Sequence, residues 1–128
     1  MKKIGILSFL LALMANAVFA MDHKKEVNIF SARHYDSDVQ LYEKFTAKTG
    51  IKVNVVSGKS GALEKRIIEE GSDSKADLYI TADAGRLGAF DTKGMLQSGL
   101  NTPPIKSSVS SNFRTSKWVG IAKRARIV

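Results

Sequence analysis

Two neighbouring side chains, His34 and Tyr35, offer the clearest binding chemistry in this 128-residue sequence. They follow a strand-like run over residues 27–31 and precede Asp36, where a helix is predicted to begin. A phenol keeps its proton at neutral pH, but a multivalent cation and the positive end of a helix both favour the phenolate. Phenolate is a hard oxygen ligand that suits Fe(III), so the pair predicts a ferric site. The alternative is that both rings simply pack in a loop.

The elements around this pair follow a regular alternation. Strand-like runs are predicted over residues 27–31, 51–56 and 76–81, and each is followed by an amphipathic helical segment that ends near a glycine, at Gly50, Gly71 and Gly94. The order βαβαβα predicts an α/β fold with a parallel sheet and right-handed crossovers. In such a sheet, ligands bind at the carboxyl ends of the strands where the strand order reverses, which is where His34 and Tyr35 are expected.

The remaining tyrosines and the last third of the chain are predicted to be structural. Tyr42 lies on the apolar face of the first helix and Tyr79 lies within the third strand, so both are expected in the core. Residues 101–117 are rich in Ser and Pro and predict a long surface connection. Residues 118–121 and 125–128 are strand-like, and an apolar strand at the end of the chain indicates a shortened protein.

Composition excludes several function classes. The chain has no Cys, which excludes disulfides and thiolate chemistry. It has no G-x-S-x-G or H-E-x-x-H motif, and a phosphate loop around Gly58-Lys59-Ser60 is excluded because Val53 replaces the required first glycine. We therefore predict that the chain is not an enzyme. The formal net charge is +8, and residues 92–128 contain seven basic and no acidic side chains, but no nucleic-acid-binding motif accompanies them, so no nucleic-acid partner is expected.

The first twenty residues have the pattern of an export signal. Lys2 and Lys3 precede an apolar run that ends at Phe19-Ala20, with small residues at the cleavage position. The run is too short to span a bilayer. We therefore expect residues 1–20 to be a cleaved signal peptide, residues 21–128 to be the folded domain, and the mature protein not to be embedded in a membrane.

Four segments in order resemble the periplasmic ferric-ion-binding proteins of ABC importers. They are Val-Asn-Ile-Phe-Ser-Ala-Arg-His-Tyr-Asp at 27–36, Thr-Gly-Ile-Lys-Val at 49–53, Ala-Asp-Leu-Tyr-Ile-Thr-Ala-Asp at 76–83 with Arg86-Leu87, and Trp-Val-Gly-Ile-Ala-Lys-Arg-Ala-Arg at 118–126. The resemblance covers nearly all of the expected mature chain. It implies part of the first lobe of a type II periplasmic binding protein, whose two lobes close on Fe(III) and pass it to permease subunits.

The resemblance also assigns residues. Tyr35 matches the first-lobe ligand tyrosine of that family, and His34 matches a position that ligates iron in some members. Arg124 and Arg126, with Arg33 as a weaker candidate, are implied to contact a co-ligand anion such as carbonate. A solvated basic strand is the alternative for Arg124 and Arg126. A periplasmic location is expected, since no cysteine is available for lipidation. The protein is also expected to be a monomer.

The same resemblance predicts an incomplete site. Further ligand tyrosines of the family lie in the second lobe, and one or two ligands cannot fill an octahedral ferric site. Weak or no metal binding by the isolated chain is therefore expected. Two alternatives stay open: a small exported interaction module that docks on an acidic partner or membrane surface through the basic stretch 93–126, or a nonfunctional truncated product.

Overall fold

The computed structural model describes residues 25–123, so the predicted signal peptide, Arg124, Arg126 and the predicted strand 125–128 lie outside the described residues. The regular elements, in chain order, are β1 Glu26–Ser31, α1 Asp36–Thr49, β2 Lys52–Ser57, α2 Ser60–Glu70, a 3-10 turn Gly71–Asp73, β3 Leu78–Ile80, α3 Ala84–Thr92, α4 Pro103–Ser108 and a 3-10 turn Ser111–Phe113. The predicted α/β fold of βαβαβα order is confirmed over residues 26–92.

The three strands form one parallel sheet in the order β2-β1-β3. Ile29 of the central strand is opposite Val55 and Leu78, and its neighbour Phe30 is opposite Val56 and Tyr79. The chain moves from β1 to one side and then crosses to the other. Parallel crossovers are right-handed almost without exception, and the two here run in opposite directions across the sheet, which puts α1 and α2 on its opposite faces. The strand order therefore reverses beside β1, as predicted.

One face of the sheet is closely packed. Phe30 is buried together with Leu63 and Ile67 of α2 and Phe90 of α3. Tyr79 packs against this cluster, which agrees with its predicted place in the core, and its hydroxyl donates a 2.7 Å hydrogen bond to a Glu64 carboxylate oxygen. Helices α2 and α3 are held on the sheet by this single apolar cluster.

The other face is more open, although Ile29 of β1 is buried on it. Helix α1 contains no buried residue, and Leu41 and Phe45 of its apolar face are 59% and 41% exposed. The prediction that Tyr42 lies in the core was wrong, because α1 stands away from the sheet and leaves a cavity that Tyr42 lines. The helix ends as predicted at Gly50, whose φ of 72° is in the left-handed region that glycine adopts at low cost.

The last third of the described chain differs from its prediction. Residues 101–117 were expected to form a long surface connection, and most of them are exposed, but Pro103 and Pro104 begin the short helix α4 within it, since proline is favoured in the first turn. The predicted strand over 118–121 does not form. Thr115 Oγ1 instead accepts hydrogen bonds from the Lys117 and Trp118 amides and makes a tight turn, and the only pairing there is an isolated antiparallel bridge from Arg114 to Val119.

Candidate functional site

The segment between β1 and α1 is anchored firmly at its base. Ser31, which is buried at the end of β1, donates a hydrogen bond from Oγ to the Arg33 carbonyl oxygen and accepts one from the Arg33 amide. The Ala32 amide donates to the Ile80 carbonyl oxygen of β3 at 2.8 Å, and the Gly58 amide donates to the Ser31 carbonyl oxygen at 3.1 Å. The loop that follows β1 is thus tied to both neighbouring strands.

Tyr35 lies at the rim of this base, at the start of α1. It is the N-cap residue with extended backbone, and its carbonyl oxygen accepts a 2.9 Å hydrogen bond from the Asp38 amide. The side chain is 53% exposed and lines a cavity of about 770 Å³ between α1 and β2. The His34 ring stacks on it with 5.9 Å between ring centroids and an angle of 16° between planes. The structure therefore places both predicted ligand side chains at a crevice, outside the apolar core.

Arg33 makes the best-defined polar contact of the loop. Its Nε and Nη2 donate to the two carboxylate oxygens of Asp38 at 3.1 and 3.0 Å, and both side chains are largely buried, at 20% and 17% exposure. The guanidinium carbon also lies 5.1 Å from the centre of the Tyr35 ring. A planar fork of donors matched to a carboxylate gives a fixed geometry that a single lysine ammonium cannot reproduce.

Tyr42 lines the same cavity but is in a different electrostatic environment. Burial and, to a lesser extent, the negative charge of Asp38 raise the pKa of Tyr42 above its ordinary value, although a hydrogen bond to Ser31 and the charge of Arg33 oppose them. A raised pKa favours the protonated phenol. Tyr42 forms part of the wall of the cavity.

A second crevice, of about 390 Å³, joins the loops that follow β1 and β2. It is lined by Ser57, Gly58 and Lys59 on one side and by Arg33 and His34 on the other. Both loops leave the carboxyl ends of adjacent parallel strands, so the sheet topology brings them together. His34 thus lies between the two crevices, within reach of either.

Of the predicted site residues, the structure brings together Arg33, His34 and Tyr35, while Arg124 and Arg126 lie outside the described residues. Within residues 25–123 there is no cluster of three or more His, Cys, Asp or Glu side chains able to hold a metal ion. Sequence reasoning missed Asp38 as the partner of Arg33. The signal that could have indicated this pairing is the position of Asp38 in the first turn of the helix, close to the loop that precedes it.

The basic C-terminal stretch is partly engaged within the fold. The Lys117 ammonium donates to Asp91 at 2.6 Å, and the Arg114 guanidinium donates to the Val109 carbonyl oxygen at 2.8 Å. Lys123 lies over the Phe113 ring, with its ammonium 5.7 Å from the ring centre. Of these contacts, the ion pair with Asp91 offsets one positive charge of the predicted docking surface.

Comparison with known proteins defines the class. Residues 39–116 match the family described as bacterial extracellular solute-binding protein. The chain is 40% identical over 107 residues to iron uptake protein A1 of Synechocystis, covering 82% of this chain and 29% of that protein. It is 30% identical over 122 residues to the Fe(3+)-binding periplasmic protein of Serratia marcescens, covering 94% and 35%. The chain thus spans about a third of the length of these relatives.

The fold agrees with solved structures of the same kind. A Trichodesmium protein solved in complex with iron and citrate ligands superposes with a TM-score of 0.70 and 41% identity over 74% of this chain and 30% of that one. The chain belongs to the bacterial extracellular solute-binding proteins, and its fold is part of a type II periplasmic binding protein. The predicted resemblance is confirmed, and so is the prediction that the chain is not an enzyme, since the family consists of binding proteins.

The mature protein was predicted not to be embedded in a membrane. None of the helices within residues 25–123 is long and apolar enough to cross a bilayer.

Proposed function

We propose that this chain provides first-lobe ligands for ferric iron in the solute-binding component of an iron ABC importer. The observation that supports this most is the placement of Tyr35, a half-exposed phenol at the carboxyl end of the central strand, in a chain similar to proteins named for iron uptake and Fe(3+) binding. Fe(III) is the cargo, and the protein acts on it by binding alone.

The local chemistry suits a hard trivalent cation. Tyr35 supplies an oxygen ligand that the cation itself converts to phenolate, and His34 supplies a nitrogen ligand from the adjacent position. The phenolic proton leaves to solvent or to a bound base as the iron–oxygen bond forms. No redox step is needed for this exchange. Tyr35 caps α1, so the positive end of that helix adds to the stabilisation of the phenolate.

A co-ligand anion would complete part of the coordination sphere. Carbonate or a similar anion is proposed, with Arg33, Arg124 and Arg126 as its contacts. Asp38 occupies Nε and Nη2 of Arg33, which leaves Nη1 to meet an anion. The Trichodesmium structure contains citrate together with iron, so an organic carboxylate is a second anion to test.

We expect the chain alone to bind iron weakly, because two protein donors leave most of an octahedral site to anion and water. Delivery to permease subunits, a periplasmic location after cleavage of residues 1–20, and a monomeric state are parts of the same proposal. The name of the Serratia marcescens relative, Fe(3+)-binding periplasmic protein, supports the periplasmic location.

The test is titration of the chain with ferric citrate, recording the visible phenolate-to-iron absorption band. Wild type should develop this band, and Tyr35→Phe should lose it together with a drop in affinity of at least about 10-fold. Tyr79→Phe is the matched control, since its hydroxyl is bonded to Glu64 on the packed face of the sheet.

Three results would contradict the proposal. An undiminished band in Tyr35→Phe would show that iron binds elsewhere. Loss of the band in Tyr79→Phe would show that Tyr79, and not Tyr35, supplies the phenolate. Absence of any band in wild type at excess iron would overturn ferric binding by this chain. A strong band at one equivalent that survives competing citrate would contradict only the expected weakness.

A further inference from the structure

We propose that Arg33, held in place by Asp38, positions the Tyr35 ring for the metal, in addition to the anion contact proposed for its Nη1. The inference rests on the proposed ferric function and adds to it a pair of residues that act through Tyr35. Three contacts within residues 33–38 support it.

The first contact fixes the guanidinium. Two parallel hydrogen bonds, 3.1 and 3.0 Å long, join Arg33 to Asp38, and both side chains are about four-fifths buried. An exposed ion pair with long side chains samples many geometries, but a bidentate, largely buried pair has one. The Arg33 backbone is fixed as well, through the two hydrogen bonds to the Ser31 hydroxyl.

The second and third contacts connect this fixed group to Tyr35. The guanidinium carbon lies 5.1 Å from the centre of the Tyr35 ring, within the range of a cation–π contact. The Asp38 amide donates to the Tyr35 carbonyl oxygen at 2.9 Å, so the residue that holds Arg33 also holds the Tyr35 backbone. Asp38 therefore restrains Tyr35 twice. It holds the Tyr35 ring through Arg33, and it holds the Tyr35 backbone through its own amide.

The contact with Arg33 restrains the rotamer of the Tyr35 side chain. Its side chain is 53% exposed, so packing alone does not select one rotamer. A ligand that is free to rotate must be ordered when metal binds, at a cost in affinity, whereas a ligand held beforehand does not incur that cost. Groups that orient a metal ligand in this way typically change affinity by about 10–100-fold when removed.

The chain offers a matched control on the opposite face of the sheet. Arg66 lies over the Phe30 ring at 4.9 Å and pairs with Glu70 at 2.6 Å, so it repeats both the ring contact and the carboxylate contact away from Tyr35. Arg66→Gln therefore removes the same kind of side chain and the same charge without touching the candidate site.

The first measurement needs no metal. The Hα–Hβ coupling constants of Tyr35, assigned by the loss of its signals in Tyr35→Phe, report the rotamer populations of the side chain. Wild type and Arg66→Gln should show one dominant rotamer, and Arg33→Gln and Asp38→Asn should show averaged couplings. Unchanged couplings in Arg33→Gln and Asp38→Asn would overturn the inference, whatever happens with iron.

The second measurement is the ferric citrate titration. Arg33→Gln and Asp38→Asn should each lower the affinity about 10-fold or more and broaden the phenolate-to-iron band, and the double variant should lose no more than either single variant. Arg33→Lys, which keeps the charge but loses the fork and the planar face, should behave like Arg33→Gln. Wild-type behaviour of Arg33→Lys, or additive losses in the double variant, would overturn the inference.

The two measurements separate this inference from the function on which it rests. If wild type gives no iron band but the couplings average in Arg33→Gln and Asp38→Asn, the ferric function fails and the positioning of Tyr35 is supported. Thermal unfolding of each variant accompanies both measurements. Should Arg33→Gln unfold, Arg33→Lys and Asp38→Asn provide the same comparison.

Discussion

The two faces of the three-stranded sheet differ in what their side chains do. On one face, Phe30 is 1% exposed and packs with residues of α2 and α3. On the other, α1 has no buried residue, and Val55 and Leu78, which alternate with the core positions along their strands, are 43% and 48% exposed. Apart from Ile29, the buried apolar residues of the described chain therefore lie on one side of β1, and the candidate site is built on the other.

The comparison predicts a large effect for a change in the packed face. Phe30→Ala should lower the free energy of unfolding by about 3–5 kcal/mol, because it leaves a cavity among Leu63, Ile67 and Phe90. Val55→Ala on the open face should lower it by about 1 kcal/mol or less, since that side chain is already in part solvated. Urea denaturation measures both. Equal losses would show that the two faces contribute alike.

A smaller effect is expected from the tyrosines at alkaline pH. Burial, and then the hydrogen bond to Glu64, raise the pKa of Tyr79 on the packed face. The folded state therefore favours the neutral phenol. Its stabilising contribution is complete below the pKa of an unfolded tyrosine, about 10, and is lost as the pH rises toward the higher pKa of the folded state.

In Tyr79→Phe, the free energy of unfolding should accordingly decrease less steeply above about pH 10 than it does in wild type. Tyr42→Phe should do the same on the open face, because burial and the charge of Asp38 also raise the pKa of Tyr42. Chemical denaturation between pH 8 and 11 is the measurement. A fall of the same steepness in both variants and in wild type would contradict the assignment.

The smallest effect belongs to the exposed side of α1. Leu41→Ser should change the free energy of unfolding by no more than about 0.5 kcal/mol, because Leu41 is 59% exposed and loses little contact. A loss above about 1 kcal/mol would mean that the apolar side of α1 is covered in solution. Comparison of the melting temperature at low and high protein concentration would then reveal self-association.

Local patterns in the sequence were enough to predict the sheet and its helices. Strand periodicity and the glycine stops at Gly50, Gly71 and Gly94 place the three βα units within a few residues of their observed bounds, because backbone conformation decides those signals. The strand predicted over 118–121 was wrong, since the Thr115 side chain captures the local amides and no periodicity reports that competition.

The site was predictable in position but not in its contacts. The loop after the first strand follows from topology alone, and His34 and Tyr35 stand there in the structure, with their role as ligands still a prediction. The pairing of Arg33 with Asp38 could not be predicted, because it depends on how the loop turns into α1. The half-buried state of Tyr42 could not either, since the distance of α1 from the sheet is set by packing beyond its own sequence.

Backbone hydrogen bonds at the start of the Tyr35 loop affect its hydrogen exchange. The amides of Ala32 and Gly58 donate across the sheet to Ile80 and Ser31, so exchange of these protons with solvent requires the strand ends to separate locally. Slow deuterium uptake at these two amides would be their signature. These two hydrogen bonds restrain the backbone at the start of the loop more than the exposed side chains of His34 and Tyr35 are restrained.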